Sequence, residues 1–275
     1  MLEVRTAGDP AYDPRPKAQT HDHETRQIIL MTRRRWIADE VSGNRGSLIG
    51  EHADHLVRVL RARVGQEFDI ATGAVVRRGR IVTIEEGRVE FELKEETAAT
   101  EAANLTLLLA IFKFDRMEWA IEKCTELGVT RIVPVIARRT DAHLVPAAPK
   151  RVERWRRIAL QASEQSRRTT PPEISAPLKL QEAASFSGGL RIVLAESEKQ
   201  TQLADVLATH SPEGETILAI GPEGGWTDEE LQIFQKAGWI SASLGSTILR
   251  AETAAIAATA ITMSELGMRR WTSLS

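Results

Sequence analysis

The stretch Ile220-Gly221-Pro222-Glu223-Gly224-Gly225-Trp226 is the most informative part of this 275-residue chain. It follows a short apolar run and precedes a helical pattern, which predicts a loop leading from a strand into a helix. Its three glycines lack a Cβ atom, so the backbone can turn sharply and a ligand can approach the amides. Ligands of α/β proteins bind in such loops at the carboxyl ends of strands. A tight turn without any ligand is the competing interpretation of this loop taken alone.

A second loop of the same kind, Leu244-Gly-Ser-Thr-Ile-Leu-Arg-Ala-Glu-Thr-Ala254, follows about 20 residues later. Its Arg250 and Glu252 stand at the start of an otherwise apolar helix, where an unpaired charge is costly to bury. Arg250 stays protonated, so it can stabilise developing negative charge or hold a phosphate. For Glu252, a capping or salt-bridge role and a catalytic role both remain open. We take Arg250 and Glu252 as the candidate catalytic residues.

The composition is that of an ordinary globular protein, with 42% hydrophobic and 27% charged residues. No apolar run approaches the roughly 18 residues of a membrane helix, and no apolar signal-peptide core opens the sequence. A single cysteine, Cys124, excludes an internal disulfide framework and a multi-cysteine zinc site. His52 and His55 are three residues apart but have no third ligand nearby. We expect a soluble cytoplasmic protein that binds neither a membrane nor a metal.

The net charge of −2 and the isoelectric point near 6.4 argue mildly against a nucleic-acid partner. The local distribution argues the other way, because nine basic and three acidic residues lie between Arg138 and Arg168. A solvated helix face is the plainer interpretation of such a block. A block this one-sided on a nearly neutral protein nevertheless favours a polyanionic partner.

Three regions follow from the patterning. Residues 1–30 are polar and rich in proline, which predicts a disordered extension. Residues 31–100 alternate apolar and polar side chains in short runs, which predicts a small β domain interrupted by one helix at 51–63 and ended by a linker at 95–104. Residues 101–275 alternate strands with helices, which predicts an α/β domain with a mainly parallel sheet.

Within the α/β region, the expected strands are 105–112, 129–136, 190–195 and 216–220. A helix at 115–127 should end at Gly128 and bury Cys124. The basic block should form a helix with Val152, Trp155, Ala159 and Ala162 turned inward. Thr227-Asp-Glu-Glu230 is a capping box that opens another helix. The last helix, 251–266, is apolar nearly all round and should be buried, in part against a second subunit.

Four segments resemble one known family, the bacterial 16S ribosomal RNA uridine-N3 methyltransferases. They are Lys113-Phe-Asp-Arg-Met-Glu-Trp-Ala-Ile-Glu-Lys-Cys-Thr-Glu-Leu-Gly128, Ala162-Ser-Glu-Gln-Ser-Arg167, Ile220-Gly-Pro-Glu-Gly-Gly225 and Leu249-Arg-Ala-Glu-Thr-Ala254. The resemblance runs from about Met31 to Arg270. His55-Leu-Val-Arg-Val-Leu-Arg61 is similar to that family's N-terminal PUA-like domain. Arg138-Arg-Thr-Asp141 departs from the commoner Glu-Arg-Ser, with Arg139 and Thr140 in place of the Arg-Ser pair.

The resemblance implies a SPOUT-type methyltransferase domain, knotted around a parallel sheet and preceded by a small PUA-like β-barrel. It implies a homodimer with the last helix in the interface and S-adenosylmethionine as cofactor. The substrate would be one uridine of 16S rRNA near the decoding centre of the small ribosomal subunit, after much of it has assembled. The cofactor-binding residues would be Leu194, Glu196, Ile220, Gly221, Pro222, Glu223, Gly224, Gly225, Leu244, Gly245, Ile248, Leu249 and Thr253. The RNA-binding residues would be Arg33, Arg34, Arg35, His55, Arg58, Arg61, Lys113, Arg139, Arg167 and Arg168.

Uracil N3 carries an imide proton, so the enzyme must favour the anion and align it with the methyl donor. We hypothesise that Arg250 stabilises the developing charge, while Glu252, Glu223 or a water takes the proton. Three other functions stay open. A SPOUT ribose 2′-O-methyltransferase would share the fold and cofactor, and a non-catalytic RNA-binding or ribosome-assembly factor would keep the fold alone. A small-molecule α/β enzyme fits the basic helix and β domain less well.

Overall fold

The computed structural model describes residues 35–73, 75–98, 104–210 and 214–273, with all their side chains except those of 95–98 and 267–273. The expectations for residues 1–30, Arg33 and Arg34 lie outside the described residues.

A six-stranded sheet forms the first part of the structure, as the β-like pattern predicts. Its strands are β1 (Arg35–Ile37), β2 (Glu40–Ser42), β3 (Arg45–Ile49), β4 (Glu67–Ala71), β5 (Val75–Glu85) and β6 (Arg88–Ala98). The order is β1-β4-β5-β6-β3-β2, antiparallel except for β1 beside β4. Gly79 of β5 is closely approached by a side chain of the neighbouring strand β4, because a Cβ on Gly79 would lie 2.4 Å from Cγ1 of Ile70. Because β6 reaches Ala98, the linker predicted from residue 95 begins too early.

The helix predicted at 51–63 is wrong at its C-terminal end. An α-helical turn, α1 (Glu51–Asp54), continues into a π-helical turn at His55–Val59. The wider turn shifts side chains away from the 3.6-residue period. Leu56 is therefore buried, whereas Val59 and Leu60, expected beside it, are 62% and 47% exposed. Arg61 has a φ of 54°, so the chain has left the helix by that residue.

The second part is a parallel sheet, as predicted. Its strands are β7 (Leu105–Ala110), β8 (Arg131–Ile136), β9 (Glu173–Ile174), β10 (Leu178–Lys179), β11 (Leu190–Leu194), β12 (Thr216–Ile220) and β13 (Ile240–Ala242). The order is β10-β8-β7-β12-β11-β13, with β9 also beside β8, and the pairing is parallel throughout. Every residue of β7 and β12 is buried, which explains their continuous apolar runs.

Helices cover both faces of this sheet. They are α2 (Phe114–Leu127), α3 (Val152–Gln165, after a 3-10 turn at Ala148–Arg151), α4 (Leu180–Ala184), α5 (Leu203–Thr209), α6 (Asp228–Lys236) and α7 (Ala251–Ser273). Helices α2, α3, α5 and α7 pack on one face, and α4 and α6 on the other. Gly128 ends α2 with a φ of 109°, and the capping box of α6 is present. Both predictions are thus confirmed.

Most side chains expected in the core of the second part are buried. The four inward residues predicted for α3 are buried, and so is Cys124, where burial raises the pKa of the thiol to about 12. Helix α7 buries one face, including Ala255, Ala258 and Thr262, while Ile256 and Ile261 on other faces are half-buried. None of the helices within the described ranges is long and apolar enough to cross a membrane.

Candidate active site

A cavity of about 320 Å³ lies at the carboxyl ends of three adjacent strands, β11, β12 and β13. Three segments line most of it: 194–197 after β11, 220–226 without Glu223 after β12, and 243–249 after β13. Arg139, Asp228 and Leu231 of α6, and Ala251 and Ala254 of α7 complete the wall. The two glycine loops that are most informative in the sequence therefore face each other across one cavity. This is the position in which α/β sheets bind ligands.

Most of the residues predicted to bind a cofactor line this cavity. The wall includes Leu194, Glu196, Ile220, Gly221, Pro222, Gly224, Gly225, Leu244, Gly245, Ile248 and Leu249. Glu223 and Thr253 lie outside it: Glu223 is turned to another partner, and Thr253 is exposed on the first turn of α7. Ile248 is 82% exposed, so the third loop presents an apolar side chain at the surface.

The glycine loop is held by contacts within the protein as well as shaped for a ligand. A Cβ on Gly221 would lie 3.3 Å from the indole nitrogen of Trp226, so glycine lets that ring pack against the backbone. Gly225 has a φ of 70° and its N–H donates to the carbonyl of Pro222 at 2.8 Å. These contacts confirm a tight turn, and the same loop lines the cavity.

Arg139, expected among the RNA-binding residues, supports the glycine loop. Its guanidinium donates to the carbonyl oxygens of Gly224 and Trp226. Its backbone is also fixed, because Glu230 of α6 accepts from the N–H of Arg138 at 2.7 Å and Thr140 Oγ1 donates to the carbonyl of Ile111 at 3.1 Å. Arg139 is therefore part of the cavity wall, and its role in RNA binding stays a prediction.

The two candidate catalytic residues are in different environments. Arg250 is exposed at the start of α7, between the cavity residues Leu249 and Ala251, and its carbonyl accepts from the N–H of Ala254 at 2.8 Å. The side chain of Glu252 is only 4% exposed and does not reach the cavity. Its Oε1 lies 3.9 Å from Nε of Arg116, and its Oε2 has no hydrogen-bond partner among the described residues.

Arg116 is a residue that sequence reasoning missed. Its Nη1 donates to Oε1 of Glu223 at 2.5 Å, while its Nε faces Glu252. It therefore connects the glycine loop to the start of α7. Arg116 lies within the segment that resembles the known family, but a single arginine on a helix carries no pattern that would single it out.

The guanidinium groups of two predicted RNA-binding arginines, Arg35 and Arg168, contact backbone carbonyls within the protein. The guanidinium of Arg35 donates to the carbonyl of Arg167, and Arg168 Nη1 donates to the carbonyl of Thr125 at 2.8 Å. Burial lowers the pKa of Arg35, and it lowers the pKa of Arg168 to about 10. These partly buried groups join β1 to the segment after α3, and that segment to α2.

Among the other described residues predicted to bind RNA, three are exposed at the surface and His55 lies beside Trp36. Arg58 and Arg61 are exposed at the π-helical turn, and Lys113 is exposed just after β7, whose neighbour β12 leads into the glycine loop. The ring centroid of His55 lies 5.9 Å from that of Trp36. The basic face of α3 is largely neutralised. Arg151 and Arg154 pair with Glu118, Arg156 with Glu153 and Arg157 with Glu51.

Comparisons with known proteins agree with this geometry. Residues 99–263 match the model of the RNA methyltransferase domain family. Ribosomal RNA small subunit methyltransferase E of Rickettsia conorii is 33% identical over 217 residues, covering 78% of this chain and 87% of the relative. The enzyme of that name from Synechocystis sp. is 32% identical over 73% of this chain and 66% of the relative.

A solved structure extends the likeness to three dimensions. Ribosomal RNA small subunit methyltransferase E from Neisseria gonorrhoeae, bound to S-adenosyl methionine, superposes with a TM-score of 0.75 at 31% identity. The match covers 84% of this chain and 97% of that chain. The parallel sheet, the cavity at its strand ends and the family match define an RNA methyltransferase. The chain belongs to the family of ribosomal RNA small subunit methyltransferase E.

Proposed function

We propose that this protein transfers a methyl group from S-adenosylmethionine to N3 of one uridine in the 16S rRNA of the small ribosomal subunit. The observation that carries the proposal is the cavity of about 320 Å³ enclosed by the loops after β11, β12 and β13. The relatives from Rickettsia conorii and Synechocystis sp. bear the name of a small-subunit rRNA methyltransferase, and the Neisseria gonorrhoeae structure contains S-adenosyl methionine.

The residues of the cavity suit this cofactor. Its wall combines apolar side chains for a flat base (Leu194, Ile220, Leu244, Leu249) with the carboxylate of Glu196 for hydroxyl or amino groups. Gly221, Gly224 and Gly225 leave backbone amides open to close approach. When bound, S-adenosylmethionine supplies an electrophilic methyl group on its sulfonium. The wall residues hold and orient it.

The uracil must lose its N3 proton before or as the new bond forms. Arg250 is exposed beside the cavity, where its guanidinium would stabilise negative charge on a uracil carbonyl or hold the adjoining phosphate. The candidate proton acceptors are a water molecule and Glu223, whose side chain is 34% exposed but paired with Arg116, because Glu252 is buried and does not reach the cavity. Glu252 then acts through Arg116, which it holds in position. A base paired or stacked in RNA must be turned out to reach this place.

RNA contacts would come from the exposed cations of the first sheet and the site edge, namely Arg58, Arg61 and Lys113. We assign residues 31–100 to a PUA-like, barrel-forming RNA-binding domain and residues 101–275 to a SPOUT methyltransferase domain with a knotted chain. The strand order, in which β12 lies between β7 and β11, supports the second assignment. We further propose a cytoplasmic homodimer joined through α7, supported by the half-buried apolar side chains of Ile256 and Ile261.

The test is calorimetric titration of the purified protein with S-adenosylmethionine, followed by methyl transfer to small subunits that lack the modification and mass mapping of the product. Binding together with methylation at uridine N3 supports the proposal. A methyl group on a ribose 2′-oxygen would assign the other SPOUT activity. RNA binding without cofactor binding would assign a non-catalytic assembly factor.

A further inference from the structure

The indole N–H of Trp226 is a buried donor without an acceptor in the described structure. Trp226 is 7% exposed and lines the cavity. Its Nε1 has no hydrogen-bond partner among the described residues and lies beside the glycine loop, 3.3 Å from where a Gly221 Cβ would be. Buried indole donors usually find a partner, because leaving one unmet costs free energy.

The ring is held firmly at this place. Its centroid lies 5.1 Å from that of Phe234, in an edge-to-face arrangement at 67°. Arg139 holds the backbone carbonyl of the same residue. The donor is therefore fixed in orientation before a ligand arrives, which lowers the entropic cost of using it.

We infer that the indole N–H of Trp226 donates a hydrogen bond to an acceptor atom of the bound cofactor and so helps to orient it. The inference rests on the proposed function, because it takes S-adenosylmethionine as the ligand. A positively charged sulfonium offers no acceptor for an N–H group. The acceptor therefore lies on the adenosyl or amino-acid part, which the product S-adenosylhomocysteine retains.

Trp226→Phe is the direct test, because phenylalanine keeps an aromatic ring against Phe234 but has no N–H. Trp155→Phe is the matched control. Trp155 is fully buried with its own unpartnered Nε1, but it lies in α3 away from the cavity. Calorimetry with S-adenosylmethionine and with S-adenosylhomocysteine should show about five- to tenfold weaker binding of both ligands by Trp226→Phe. Trp155→Phe should bind both ligands within twofold of the wild type.

A second readout does not depend on affinity. In protein labelled with 15N-tryptophan, the indole signal that disappears in Trp226→Phe should move downfield when S-adenosylhomocysteine is added to the wild type. The chemical shift of the indole signal that disappears in Trp155→Phe should not change. Thermal unfolding of each variant shows whether it is folded.

The outcomes distinguish a failure of the proposed function from a failure of the role assigned to Trp226. If the wild type binds neither ligand, the proposed function fails. If the wild type binds them and Trp226→Phe binds within twofold with no movement of its indole signal, only the role of Trp226 is overturned. Weaker binding of S-adenosylmethionine alone would also overturn it, since the indole would then act on the sulfonium.

Discussion

His52 and Glu164 are hydrogen-bonded to each other across the boundary between the first sheet and helix α3. The other ring nitrogen of His52 lies 3.0 Å from Oδ2 of Asp39, and Glu164 also accepts from the N–H of Ile37 at 3.4 Å. The side chain of His52 is 10% exposed and that of Glu164 is 1% exposed. This contact and that of Arg35 with Arg167 join the part proposed to bind RNA to the part that holds the cavity.

The stability of this junction should depend on pH. Burial alone would lower the pKa of His52, but its hydrogen bonds to Asp39 and Glu164 outweigh burial and raise the pKa to about 9. The unfolded value is about 6.5. Because the folded pKa is the higher one, the stabilisation is fully present below pH about 6.5 and is lost as pH rises to about 9. Urea titrations should show the free energy of unfolding falling by up to about 3 kcal/mol across this window.

His52→Gln is the control for that experiment. The variant should be less stable than the wild type near pH 6 and should lose the pH dependence between 6.5 and 9. An equally steep fall in the variant would assign the dependence to other groups.

Arg139 should affect the cofactor rather than RNA. Because its guanidinium holds the carbonyls of Gly224 and Trp226, Arg139→Ala should loosen the loop and weaken S-adenosylmethionine binding about tenfold. The salt dependence of RNA binding should not change. Arg58→Ala removes an exposed cation. It should leave cofactor affinity unchanged and reduce the slope of the logarithm of RNA affinity against the logarithm of salt concentration by about one. If Arg139→Ala lowers the salt slope and leaves cofactor affinity intact, Arg139 binds phosphate as the sequence predicted.

Arg250 should act on the rate. Arg250→Ala should slow single-turnover methyl transfer by about 10²-fold, because a charge-stabilising donor is lost, while cofactor affinity stays within twofold. The rate of Arg250→Lys should lie between those of the wild type and Arg250→Ala, because lysine keeps the positive charge but lacks the planar guanidinium. A rate for Arg250→Ala within threefold of the wild type would rule out the catalytic role.

Arg116 should matter for both stability and rate. Arg116→Gln leaves the buried carboxylate of Glu252 without its cation, which should cost about 2 kcal/mol, and releases Glu223. Adding Glu252→Gln should restore much of the stability, as judged by urea unfolding, because the buried charge is gone. The rate of the double variant should stay low if Arg116 serves Glu223. If the double variant recovers both its stability and its rate, Arg116 has only a structural role.

Much of this architecture is readable from local patterns. The strands β7 and β12, the end of α2 at Gly128 and the capping box of α6 each follow from a few adjacent residues. The glycine loops were also readable, because glycine marks places where the backbone turns or is closely approached. The π-helical turn could not be predicted from the sequence. Val59 and Leu60 fit the 3.6-residue period of an α-helix, but the chain forms the wider π-helical turn at His55–Val59.

The sequence by itself determined the parallel α/β domain, the two loops that form the cavity and the family. These depend on periodicity and on short motifs, which act within one element. Only the tertiary structure decided the partners of Arg116, Arg139 and His52. Those contacts join residues far apart in the chain, 107 positions for Arg116 and Glu223 and 112 for His52 and Glu164. Which of many similar charges meet is set by the packing of whole helices and loops, and no local pattern records it.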